Sequence, residues 1–183
     1  ALELSKTISE PNHDSMFHEN QSYYWLGYIQ YLDKDWDQTE FYWITYLERS
    51  RQIAKDLPHS KKWQLEYSYS LNNMGALKLK QDQVSDAAQF ISQAAAIKHQ
   101  LEERNPADFQ LWADYSDTIS WLAEVKSQDD QLAQANQRYQ ESVVVASNII
   151  ALQSDNHLWQ HRLALAHHRL SISHYDMGKL DES

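Results

Sequence analysis

The chain has 183 residues with three Gly, three Pro and no Cys, and carries 16 Lys and Arg against 26 Asp and Glu, a formal net charge of −10. Average usage would give a chain of this length about 22 Gly and Pro together. Six are too few for the tight turns of a β-sandwich or barrel, and too few for a Gly-rich phosphate loop. The lack of Cys removes thiolate metal sites, disulfides and Cys nucleophiles, and the acidic balance is the reverse of a nucleic-acid binder's.

At 42% hydrophobic and 12% aromatic residues the chain is too apolar for disorder. No apolar run approaches the 18–20 residues of a membrane span, and nothing near Ala1 resembles a secretory signal. The expectation is therefore an all-α domain in a reducing, cytoplasmic setting.

In chain order, residues 1–18 form an N-terminal segment, and 1–9 are expected to be the tail of a preceding second helix. A first unit spans 19–57. Asp37 and Glu40 have capping-box spacing there for the unit's second helix. In the second unit, 58–105, Ser60 is placed to cap a helix over about 61–80, with Trp63, Tyr67, Leu71, Met74, Leu77 and Leu79 near 3.6 spacing. A polar turn over 81–85 leads to a second helix ending near Arg104, with Ala87, Phe90, Ile91, Ala94, Ile97 and Leu101 on one face.

Asn105-Pro106 has the pattern of an N-cap followed by proline at the first helical position, opening a third unit, 106–153. That unit repeats the pattern with Trp112, Tyr115, Ile119 and Leu122, then Leu132, Ala135, Tyr139, Val143, Ala146 and Ile150. Residues 154–183 supply the first helix of a fourth unit. Met177 to Glu182 is expected to form its turn at Gly178, so the chain is expected to be a segment of a longer protein. An unpaired terminal helix is the alternative.

The unit length comes from the scarce residues. Gly27 and Gly75 lie 48 apart, as do Pro58 and Pro106, and Trp63 and Trp159 are separated by twice that. Stepping on from Gly75 reaches Ala123 and Ser171, each preceded by an apolar residue in the series Leu26, Met74, Leu122 and Leu170. Ile53, Leu101 and Ile149 make a further column, and Thr39, Ala87, Ala135 and Ser183 are all small. Columns kept in register across three or four copies define a repeat protein.

These columns resemble the tetratricopeptide repeat (TPR) family. Its pattern of an aromatic, then Leu-Gly three and four residues on, then a small residue and an aromatic in the second helix is matched by Tyr23–Leu26–Gly27 with Thr39 and Trp43. Leu71–Met74–Gly75 with Ala87 and Ile91, and Ile119–Leu122–Ala123 with Ala135 and Tyr139, follow it too. His167–Leu170–Ser171 begins a fourth match. The departures are length and proline. Standard repeats have about 34 residues, and Arg51, His99 and Ser147 stand where their second helix would meet proline. The resemblance is thus to a long-repeat variant.

It implies a right-handed α-solenoid of antiparallel helix pairs, whose first helices line a groove for a peptide or protein segment. The groove positions so implied are Tyr24, Tyr28 and Tyr31, then Tyr69 and Asn72, then Asp117, Ser120 and Glu124, then His168 and Tyr175. Packing between units is the alternative role for the tyrosines, and a solvated face for Asp117 and Glu124. Family members that clamp a C-terminal carboxylate use Lys, Arg and Asn at these places, and only Asn72 matches here. An aromatic, acidic groove favours a basic or mixed apolar partner segment, with no nucleic acid and no membrane insertion.

Other constellations point less far. His157 and His161 are four apart but lack the Glu of a zinc protease helix, and His167 falls in an apolar column, so it is expected in the core. Asp33, Asp35 and Asp37 alternate like a calcium loop but continue with Gln38 and Ile44 where Gly and Glu belong. Trp63, Trp112 and Trp159 recur near the repeat period, which makes them structural before anything else. No nucleophile–base pair is evident. The expectation is a non-catalytic interaction scaffold without cofactor or metal. The alternatives are a structural or regulatory array that self-associates within a signalling protein, and a small-molecule or peptide sensor.

Overall fold

The computed structural model describes residues 13–181, and side-chain surroundings over 15–178. The described residues form seven helices and no strand. They are α1 (His13–Leu32), α2 (Trp36–Asp56), α3 (Lys61–Lys80), α4 (Val84–Arg104), α5 (Phe109–Gln128), α6 (Leu132–Leu152) and α7 (His157–Asp181). First helices of 20 residues alternate with second helices of 21, and α7 has 25. Turns of three residues within a pair and four between pairs complete the 48-residue period. No described helix is long and apolar enough to cross a membrane. Residues 1–9, expected as the tail of an earlier helix, and Ser183 lie outside the described residues.

Each helix packs on the next along the chain, and the pairs are antiparallel. Between α1 and α2, Tyr31 meets Trp36, Gly27 meets Trp43, and Asn20 Nδ2 donates to Ser50 Oγ at 3.0 Å. The two spaced glycines sit where paired helices come closest. A Cβ on Gly27 would lie 2.2 Å from Trp43 Cδ1, and one on Gly75 would lie 2.5 Å from Ile91 Cγ1. Ala123 completes the column against Ala135 and Tyr139.

The core is shared between successive pairs. Met74, Leu71 and Leu77 of α3 pack with Trp43 and Leu47 of α2, and Leu122 and Val125 of α5 pack with Ala87 and Ile91 of α4. Each side chain buried this way contributes about 1.5–3 kcal/mol. The same rule explains an exception. Leu26 is 42% exposed, because no helix precedes α1 among the described residues to cover its column. Ser171 and His167 are likewise exposed, since no second helix among the described residues packs back on α7 there. His167 is therefore not a core residue.

The turns inside the three complete pairs share one geometry. Lys34, Asp82 and Asp130 have φ of 61°, 59° and 55°, and the next residue's N–H reaches back to Gln30, Lys78 and Lys126 carbonyls at 3.0, 2.8 and 2.9 Å. This is a Schellman closure with non-glycine residues in the left-handed position. The equivalent fourth residue, Gly178, lies inside α7, so the turn expected over 177–182 is helical through Asp181. Among the described residues no second helix folds back on α7 to draw that backbone out of the helix.

Two expected caps fall elsewhere. Asp35, not Asp37, caps α2, accepting from Gln38 N at 3.1 Å, while Glu40 accepts from Lys78 Nζ and Gln81 Nε2 at 2.8 and 2.9 Å. The Schellman turn brings the helix start two residues forward. Similarly, Asp108 caps α5 through Leu111 N, and Asn105-Pro106 forms the turn before it, with Asn105 Nδ2 donating to Leu101 O. Ser60 caps α3 as expected.

Gln83 and Gln131 occupy the Asp35 position in the next two units and make no side-chain cap bond. Gln83→Asp is therefore expected to raise stability by about 0.5–1 kcal/mol. The readout is an upward shift of the urea midpoint, and an unchanged midpoint would count against the shared turn geometry.

Candidate functional site

A groove of about 760 Å³ runs across the first helices. It is lined by Phe17, Gln21 and Tyr24 of α1, Glu66, Tyr69, Asn72 and Asn73 of α3, and Asp114, Asp117, Thr118, Trp121 and Glu124 of α5. Arg169 comes from α7, and the second helices contribute Tyr46 and Lys98. Spacings of three and four residues put each set on one helix face.

Three polar rungs tie neighbouring first helices together at a constant offset of 45 residues. Gln21 Nε2 donates to Glu66 Oε2 at 2.9 Å, Tyr69 OH to Asp114 Oδ2 at 2.8 Å, and Arg162 Nη1 to Asp117 Oδ2 at 2.7 Å. In the first two rungs the later helix carries the carboxylate. In the third the order is reversed, and α7 carries the cation.

Two charged side chains are deeply placed. Glu66 is 7% exposed and accepts from both Gln21 and Tyr46 OH, the latter at 2.7 Å. Burial raises its carboxyl above the usual range, opposed by those two hydrogen bonds and by the Lys62 charge. Burial likewise raises the Tyr46 hydroxyl, with the Glu66 charge adding to it, and raises Tyr69 with help from its bond to Asp114.

Lys98 is 3% exposed and donates to Thr118 Oγ1 at 2.8 Å, with its Nζ 4.9 Å from the Tyr69 ring centre. Burial lowers the ammonium to about 8, against the raising effect of Asp114 and Asp117. Beside it, Asn72 Nδ2 donates to Thr118 Oγ1 at 3.3 Å. Asn72 Oδ1 and Asn73 Nδ2, both buried, have no hydrogen-bond partner among the described residues.

Of the positions expected from the sequence, the groove gathers Tyr24, Tyr69, Asn72, Asp117 and Glu124. Tyr31 packs instead on Trp36 and Trp43, with ring centres 5.5 and 5.2 Å away. Ser120 is buried and shares a 2.7 Å hydrogen bond with Ser142. Tyr28 stacks on Tyr24 outside the lining, and His168 and Tyr175 are exposed on α7 away from it.

The residues sequence reasoning missed include Glu66, Asn73, Asp114, Trp121 and Arg169. Their signal is present in the 48-residue columns, since 66 and 114 align, as do 73, 121 and 169. Tyr46 and Lys98 lie on second helices and carry no such signal.

Among the described residues no three His, Asp or Glu side chains converge as metal ligands. Trp63 and Trp159 are buried with Leu111 between them in the column, and Trp112 stands one residue off it. Fold and groove together define an all-helical chain of repeated helix pairs with one polar, aromatic groove across its first helices. Compared with known proteins, it matches no family model and no curated sequence.

Proposed function

We propose that the chain is a non-catalytic, TPR-like interaction module, a right-handed solenoid that holds an extended segment of a partner, or of its own parent protein, in this groove. The observation that carries this reading is the groove itself, which crosses four first helices and is lined by Phe17, Tyr24 and Trp121 with polar groups between them. Asn72 Oδ1 and Asn73 Nδ2 lie beneath this lining without a partner among the described residues, and turning these amides toward the groove would present them to a bound segment. A buried polar atom left unpaired costs about 1–3 kcal/mol. A peptide group carries the complementary N–H and C=O, while the rings supply apolar contact. Neither cofactor nor reaction enters this reading.

The test is panning of a displayed random-dodecamer library on the whole chain, followed by titration of enriched peptides against Asn73→Leu. Enrichment with at least a tenfold loss on the variant is the expected result. Failure to enrich any peptide would sink the reading. A second reading, self-association of the array, draws support from the outer face of α1, where Trp25, Ile29 and Leu32 are exposed beside Leu26. Sedimentation at several concentrations separates the two, since a tight dimer lost on Ile29→Glu favours the array.

A further inference from the structure

Within the groove lining, Glu66 is the buried carboxylate, while Asp114 is half-buried and Asp117 and Glu124 are exposed. Asp117 is ion-paired with Arg162, and Asp114 lies close enough to Lys98 to act on its titration. Glu66 is 7% exposed, makes no ion pair among the described residues although the Lys62 charge acts on it from one turn earlier in α3, and takes both of its hydrogen bonds on Oε2, from neutral donors. Oε1 receives none. A buried carboxylate is costly unless a cation or further hydrogen bonds compensate it. Here the fold supplies two neutral donors and the more distant Lys62 charge, and Glu66 lines the groove.

The surroundings suit a cation. Phe17, Tyr24 and Tyr69 line the same groove and are half-buried, so ring surface remains available. The groove's rings already hold the chain's own ammonium groups, Lys62 Nζ at 3.8 Å from the Phe17 ring centre and Lys98 Nζ at 4.9 Å from that of Tyr69. Aromatic faces attract cations, more so when water is excluded. Charged lining residues are four carboxylates, Glu66, Asp114, Asp117 and Glu124, against two cations, Lys98 and Arg169. The excess favours a positively charged visitor.

We propose that Glu66 is the base of a subsite for one lysine or arginine side chain of the bound segment, with the stem of that side chain resting on Phe17, Tyr24 and Tyr69. This rests on the groove reading given above and adds the chemistry that the segment must carry. Gln21 and Tyr46 are positioning residues: their donors fix the Glu66 carboxylate through Oε2 and leave Oε1 to the incoming cation.

The experiment uses the whole chain and pools of terminally blocked random decapeptides. Each pool has one central position fixed as Lys, Arg, norleucine, Nε-acetyl-lysine or Glu, and cadaverine serves as a free-amine probe. Fluorescence anisotropy is expected to show the Lys and Arg pools binding at least tenfold tighter than the norleucine and acetyl-lysine pools, with the Glu pool weakest. On Glu66→Gln, which keeps an acceptor for Tyr46, that preference is expected to shrink below twofold while the norleucine pool is unaffected.

Carboxyl carbon NMR adds a readout independent of any variant. The Glu66 titration should move to lower pH when the Lys pool binds and stay in place with the norleucine pool. Equal binding of all pools to the native chain overturns the subsite and leaves the groove reading standing. No binding by any pool overturns both. Cadaverine binding as tightly as the Lys pool would replace the peptide with a free amine as the ligand.

Discussion

Gly75→Leu is expected to destabilise the chain by about 3 kcal/mol or more, and Gly178→Ala to leave it unchanged or raise its stability by about 0.5–1 kcal/mol. The contrast follows from what each new Cβ meets. At Gly75 it lies 2.5 Å from Ile91 Cγ1 and 3.4 Å from the Ala87 carbonyl oxygen, so α3 and α4 must separate. Ile91 is fully buried between α3 and α5, which leaves it no room to give way. At Gly178 there is nothing within 4 Å, and alanine gains helix propensity in α7. Urea denaturation of the two variants is the measurement. Equal, small shifts would mean that Gly75 does not mark the crossing.

Trp43→Ala is the second large effect, with an expected loss of about 3–5 kcal/mol. Trp43 is 2% exposed, packs with Leu47, Leu71 and Met74, stacks on Tyr31 at 5.2 Å, and donates from Nε1 to the Tyr24 carbonyl at 3.2 Å. Its loss opens a cavity at the junction of the first two units. The same ring is what a Cβ on Gly27 would strike. Gly27→Ala should therefore be harmful in the native chain and nearly neutral in the Trp43→Ala background. Strict additivity of the two changes would show that the indole is not what reserves this position for glycine.

How much of this was legible in the sequence depended on whether a property repeats. The period, the helix pairs, and the placing of Gly75 and Ala123 against the second helix followed from columns of scarce or small residues. Ser60 as a cap followed from local chemistry. The caps at Asp35 and Asp108 did not, because they depend on where the preceding turn releases the chain. Lys34 gives no sign of a left-handed backbone, since its conformation is imposed by the α1–α2 packing that closes the turn.

For the groove, Tyr24, Tyr69 and Asp117 came from family positions, whereas Tyr31 at the end of α1 was captured by Trp36 and Trp43. Glu66 resembles any surface glutamate in sequence. Only the approach of Tyr46 and Gln21 from two other helices distinguishes it. Leu26 shows the converse, an apolar residue in a core column that is exposed for want of a covering helix.

The reversal of the third rung gives the groove a direction. Its α1 wall is uncharged, with Phe17, Gln21 and Tyr24. The α3 and α5 walls carry Glu66, Asp114, Asp117 and Glu124, and the α7 wall carries Arg169, with Arg162 in the last rung. Charge along the row of helices thus passes from neutral to negative to positive. An occupant that places a positive stretch on the α3 and α5 walls and a negative one on the α7 wall would be attracted at both, and the opposite orientation would lose that match. On the proposed groove reading, the site would be a vector that distinguishes the head of a bound chain from its tail before any single contact is made.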